Sequence, residues 1–110
     1  MARKQWETLT EQMFYILLAL YEPRHGYAVM QYVAGLTNGR VRIGAGTLYT
    51  LLSRFEEERY ICCVDENEQR KEYSITDTGR ALLQRECERL NMQLADAEIV
   101  LCCSGEERER

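Results

Sequence analysis

The most constraining feature of this 110-residue sequence lies near its end. Leu83, Cys87, Leu90, Leu94, Ala97 and Leu101 recur at spacings of 4, 3, 4, 3 and 4, a heptad seam along one face of a helix. A chain of this length makes one domain, with one hydrophobic core and a radius of gyration near ~13 Å when compact. Three heptads of seam exceed what so small a core can cover. Either the last helix pairs with a second copy of the chain, or it folds back on its own domain.

Composition narrows the function. Hydrophobic residues make up 45% and charged residues 29%, the balance of a globular chain, and one proline with seven glycines excludes collagen-like and proline-rich classes. His25 is the single histidine, so catalytic triads, zinc triads and histidine acid–base pairs lack their parts. With no catalytic constellation, the chain is not expected to be an enzyme, and no cofactor or metal is assigned. The net charge of −4 argues against a nucleic-acid partner only until it is divided. Residues 1–55 carry six basic groups (Arg3, Lys4, Arg24, Arg40, Arg42, Arg54) against three acidic, and residues 56–110 carry eight against fifteen. A partner feels the local field, so the +3 half matters more than the sum.

The longest apolar run, from Met13 to Tyr21, is too short to span a bilayer, and no cleavage site follows it. The expected compartment is the cytoplasm, where thiols stay reduced. Cys62–Cys63 and Cys102–Cys103 are adjacent pairs and Cys87 stands alone, with no CxxC. Neighbouring strand residues point to opposite faces, a poor geometry for chelation. The cysteines are read as small apolar fillers, with redox or metal sensing as the alternative.

Along the chain, Thr8-Leu9-Thr10-Glu11 matches a capping box, with Thr8 as N-cap, ahead of apolar residues at helical spacing; Pro23 ends that helix. A second helix passes through Val29, Val33 and Leu36 and stops at Thr37-Asn38-Gly39. His25, at its start, is placed to hydrogen-bond backbone groups. Arg40-Val41-Arg42-Ile43 alternates and predicts a short strand. Leu48, Leu51, Leu52 and Phe55 define the inner face of a third helix. Two β-rich runs, Tyr60 to Val64 and Arg70 to Ile75, predict a hairpin. Thr76-Asp77 then opens the last helix, which extends toward Cys103.

This order predicts a mainly α fold with a small β-hairpin: a winged helix-turn-helix over residues 1–76, a C-terminal dimerisation helix over 77–103 and a frayed charged tail over 104–110. In such a fold the third helix enters the major groove of double-stranded DNA and the hairpin, or wing, lies along the backbone. The outer face of that helix carries Gly46, Tyr49, Thr50, Ser53 and Arg54, none of them acidic, and its N-terminus offers free amides to phosphate. An ordinary solvated helix face has the same composition. Arg70 and Lys71 supply wing cations, although Asp65, Glu66 and Glu68 dilute their field.

Several of these pieces together carry a resemblance. His25-Gly26-Tyr27, Gly39-Arg40-Val41, Gly46-Thr47-Leu48-Tyr49, Leu52 through Ile61, and Glu72-Tyr73-Ser74-Ile75-Thr76-Asp77-Thr78-Gly79-Arg80 resemble the PadR-like family of transcriptional regulators, over roughly residues 9–83. The resemblance implies a homodimeric repressor of inverted-repeat operators, relieved by a small-molecule effector. It adds Thr47, with Tyr49, at the start of the recognition helix, and it implies that Trp6 and the first helix pack on the partner's last helix. The sequence departs from the family pattern where Gly44-Ala45 replace Ser-Pro, Thr50 replaces Pro, Ser53 replaces a basic residue and Arg59 replaces the Gly ahead of the wing. Two alternatives stand beside the repressor: a thiol- or metal-responsive regulator using its cysteines, and a protein-interaction dimer that has lost DNA binding.

Overall fold

The computed structural model describes residues 8–67 and 70–109. Among the described residues, four helices, α1 (Glu11–Ala19), α2 (Gly26–Leu36), α3 (Ala45–Glu57) and α4 (Asp77–Glu109), surround a three-stranded antiparallel sheet of β1 (Arg24–His25), β2 (Ile61–Asn67) and β3 (Arg70–Ile75). The sheet order is β1-β3-β2, with Arg24 opposite Tyr73 and Ile61 opposite Ile75. A bulge between Cys63 and Asp65 shifts the register of the hairpin, so that Lys71 faces Glu66 and Arg70 faces Asn67. This is a winged helix with a long C-terminal helix, as the element order predicts.

The core is built from one face of every helix. Ile16, Leu17 and Leu20 of the α1 region, Val29 and Val33 of α2, and Leu48, Leu52 and Phe55 of α3 are fully or almost fully buried. Tyr60, Ile61, Tyr73 and Ile75 close it from the sheet, and Leu82 and Leu83 complete it from α4. Leu83 therefore leaves the heptad seam: at 2% exposure its own domain has already buried it. Beyond it, Cys87, Leu90, Leu94, Ala97 and Leu101 are exposed, so α4 does not fold back on the domain. At 1.5 Å per residue α4 is about 50 Å long. Its projection lifts the radius of gyration to 17.2 Å, above the value for a compact chain. The helix also continues to Glu109, through the segment predicted to fray, which is rich in the helix formers Glu and Arg.

Three local predictions are corrected. The α1 cap is Thr10 and not Thr8: Thr10 Oγ1 accepts from the Met13 N–H at 3.1 Å, and Leu9 turns into the core. The helix stops before Pro23 reaches it, because the Leu20 carbonyl accepts the Ile75 N–H at 2.8 Å and Arg24 caps the Ala19 carbonyl. Residues 40–43 keep the predicted alternation, with Val41 and Ile43 buried and both arginines exposed, yet they form no strand. The Val41 N–H donates at 3.0 Å to the buried Thr37 hydroxyl, which itself donates to the Val33 carbonyl at 2.9 Å. A side chain does there what a neighbouring strand would do. The strand that does join the wing is Arg24–His25, too short to show a period.

Two helices end in the same way. After α2, Asn38 (φ 59°) and Gly39 (φ 81°) are left-handed, and the Gly39 N–H reaches back to the Ala34 carbonyl at 2.7 Å. After α3, Arg59 (φ 67°) takes the left-handed position and the Tyr60 N–H bonds the Phe55 carbonyl at 2.9 Å. Both are Schellman ends, in which glycine is the favoured residue at the first left-handed position. A non-glycine residue there costs about 1–2 kcal/mol, partly offset by the lower unfolded-state entropy of a side chain. Arg59→Gly should therefore stabilise the protein by about 0.5–1 kcal/mol, read as a higher midpoint in denaturant with an unchanged slope.

Candidate nucleic-acid interface

The α3 helix is positioned by its buried stripe, which leaves the opposite face outward. Gly46, Thr47, Tyr49, Thr50, Ser53 and Arg54 are all exposed, as are Arg70 and Lys71 on β3. The N-cap of α3 is Gly44, which has no side chain to occupy the first-turn amides. Those amides and the positive end of the helix dipole lie beside small hydrogen-bonding residues that let a phosphate approach closely. The acidic run Glu56-Glu57-Glu58 falls at the far end of the helix. Next to the α3 start, Thr10, Gln12, Met13, Gly46, Thr47, Thr50 and Leu51 line a shallow groove of about 470 Å³ between α1 and α3, with no acidic side chain in its lining.

Tyr49 is less free than its place on the outer face suggests. It is 51% exposed, but the edge of its ring lies on Gly26: a Cβ built there would sit 2.5 Å from the phenol oxygen and 2.8 Å from Cε1. The motifs around Gly26 and Tyr49 are thus two halves of one contact, which seats α3 against the start of α2. Sequence spacing alone could not pair them, since nothing local links residues 26 and 49. His25 fills its predicted role, its Nδ1 accepting from the Ala28 N–H at 3.4 Å as the α2 N-cap. On β1 it pairs with Glu72, which ties α2 to the wing. Tyr73 completes this corner, buried at 8%; burial raises its phenol pKa, against the pull of nearby Lys71.

The last helix carries the other predicted surface. Leu90, Met92, Leu94, Ile99, Val100 and Leu101 are between 41% and 68% exposed. A groove of about 300 Å³ runs along α4 between Leu82 and Met92. Trp6, assigned to the same contact, lies outside the described residues. Cys62, Cys63, Cys87 and Cys102 are free thiols, and among the described residues no group of three or more His, Cys, Asp or Glu side chains converges to hold a metal. No helix among the described residues is long and apolar enough to cross a membrane. One buried charge, Glu86, at 4% exposure, carries no signature in the residue spacing.

This architecture defines a winged-helix protein of the kind that reads DNA with its third helix. The model of the PadR-like family of transcriptional regulators matches residues 15–85, and the chain belongs to that family, whose members are regulators and not enzymes. A PadR family transcriptional regulator from Eggerthella lenta DSM 2243 superposes with a TM-score of 0.68 at 26% identity, over 82% of this chain and 77% of that one. A transcriptional regulator from Clostridium thermocellum shares the fold at a TM-score of 0.66 and 22% identity, over 83% of this chain and 88% of the other. An uncharacterised 37.1 kDa protein of transposon TN4556 from Streptomyces fradiae is 33% identical over 72 residues. That match covers 64% of this chain and 20% of the curated relative's length.

The Gly26 contact yields a test that needs no ligand. The atom a new Cβ would meet is the free end of a side chain, so Gly26→Ala should change stability by less than about 1 kcal/mol. It should nevertheless displace the Tyr49 ring, seen as a shift of its aromatic NMR resonances while the other tyrosine resonances stay in place.

Proposed function

We propose that this chain is a sequence-specific DNA-binding transcriptional regulator of the cytoplasm, acting as a homodimeric repressor on inverted-repeat operators. The observation that carries the proposal is the outer face of α3, which from Gly46 to Arg54 presents an uncapped helix start, four small or hydroxyl-bearing residues, a tyrosine and an arginine, with no carboxylate. In the major groove this face would read base edges through Thr47, Tyr49, Thr50 and Ser53, while Arg54, Arg70 and Lys71 meet phosphates. Pairing through Cys87, Leu90, Leu94, Ala97 and Leu101 of α4 would set two such faces about one DNA turn apart. Repression would be steric. A small-molecule effector bound between paired α4 helices, near Met92 and Leu94, would favour a spacing that no longer fits the operator. No aromatic residue follows Tyr73, so α4 itself would hold an effector there by aliphatic contacts and not by stacking.

The test is fluorescence anisotropy on duplexes enriched by the protein from a random-sequence pool, with shuffled controls, across a salt series. A specific regulator prefers the enriched duplex and loses affinity steeply as salt rises. Arg70→Ala should weaken binding to all sequences alike and lower the salt slope by about one unit. In the absence of DNA, Leu94→Asp should convert a dimer to a monomer in sedimentation while the thermal transition of the winged domain persists. Equal, salt-insensitive binding to both duplexes would instead favour an interaction module without DNA function.

A further inference from the structure

Glu86 lies on the core-facing side of α4, where a carboxylate is costly to bury unless its oxygens are engaged. Its partners are of two kinds. Arg89, one turn along the same helix, donates from Nε to Oε1 at 3.1 Å and from a terminal nitrogen to Oε2. This pair needs nothing from the rest of the molecule, and it holds the Glu86 pKa below the usual glutamate range against the opposing effect of burial. The remaining bond crosses 77 residues of sequence: the Leu9 backbone N–H donates to Oε2 at 3.2 Å. Leu9 immediately precedes the α1 cap, and its side chain is part of the core. Glu86 thus fastens the entry of α1 onto α4.

The position of that fastening matters. The start of α4 is held at the wing root, where Thr76 donates to the Arg59 carbonyl at 2.7 Å and Gly79 passes against the Tyr60 backbone. Glu86 lies about 10 Å further along the axis, and between it and Cys102 every residue but the half-buried Arg89 is exposed. Among the described residues it is the last buried residue of α4. From there to Cys102 the helix extends about 24 Å, so a 10° change of angle moves that end by about 4 Å, comparable to the ~3.4 Å rise of one base pair. Resting on the proposed DNA-reading dimer, we infer that Glu86 is a positioning residue: by holding Leu9 to α4 it sets the angle at which each winged domain is carried, and with it the half-site spacing that the dimer accepts.

The test uses the full chain and the duplex it enriches, together with versions in which one base pair is added or removed between half-sites. Glu86→Met keeps length and apolar packing but removes the acceptor. It should reduce the preference for the original spacing at least about threefold, with single half-site affinity unchanged. Glu86→Gln, which still offers an oxygen to the Leu9 N–H, should retain the preference. Should the methionine variant not fold, Glu86→Asp keeps the charge but draws the acceptor back, and it should relax the spacing in the same way. An unchanged preference in Glu86→Met or, where that fails to fold, in Glu86→Asp overturns the inference, as does a loss in Glu86→Gln equal to theirs. A wild-type chain that enriches no duplex, or one without paired half-sites, overturns the DNA-reading dimer itself and the inference with it, and is recognised before any variant is made.

Discussion

The close passage of α4 over the backbone of Tyr60 is the constraint on which the rest of the molecule depends. A Cβ at Gly79 would overlap the Tyr60 carbonyl and crowd Ile75, so the first turn of α4 reaches the wing root only because residue 79 is glycine. Thr76 locks the same junction. Its hydroxyl bonds the Arg59 carbonyl and the Gly79 N–H, and its own N–H bonds the Tyr60 carbonyl at 2.9 Å. At this one point the end of α3, the first wing strand and the start of the last helix are fixed to one another. The left-handed Arg59 is what turns the chain toward it.

The outer face of α3 inherits its position from that junction and from the Tyr49–Gly26 contact. The first sets where α3 ends, and the second sets how its opening turns sit against α2. Helix and wing are then joined by β1, whose residues pair with Glu72 and Tyr73 while His25 caps α2. Residues that present chemistry to solvent thus depend on residues that present none. Glycine at 79 admits a close approach to backbone that cannot yield, glycine at 26 admits a tyrosine ring that can, and glycine at 39 suits a left-handed backbone.

Much of this was legible in the sequence because it is periodic. The inner face of α3 follows from apolar spacing, the hairpin from two β-rich runs, and the roles of Thr76 and His25 from their place before a helix. What was not legible depends on partners far along the chain. Residues 40–43 alternate as a strand does, yet their hydrogen bond goes to the Thr37 side chain, which no period encodes. Leu83 fits the seam by spacing, but the core claims it because α4 begins inside the domain. Glu86 looks like any surface glutamate until Leu9 is known to lie against it. On the outer face of α3, residue types could be read but not their support, since the tie between Tyr49 and Gly26 spans two helices.

The distal half of α4 has a consequence for how much of the molecule a single copy can hold in order. From Leu90 to Cys102 every residue of the helix is exposed, and among the described residues none packs it onto the domain. Most helical stability in proteins comes from packing, and an isolated stretch of this length is marginal in water. Whatever covers that half therefore supplies its order, and its helicity becomes a matter of mass action, rising with the concentration of its partner. If the partner is another copy, the chain senses its own abundance. Below a threshold concentration each winged domain would remain folded while the element that fixes the distance between two of them melts away.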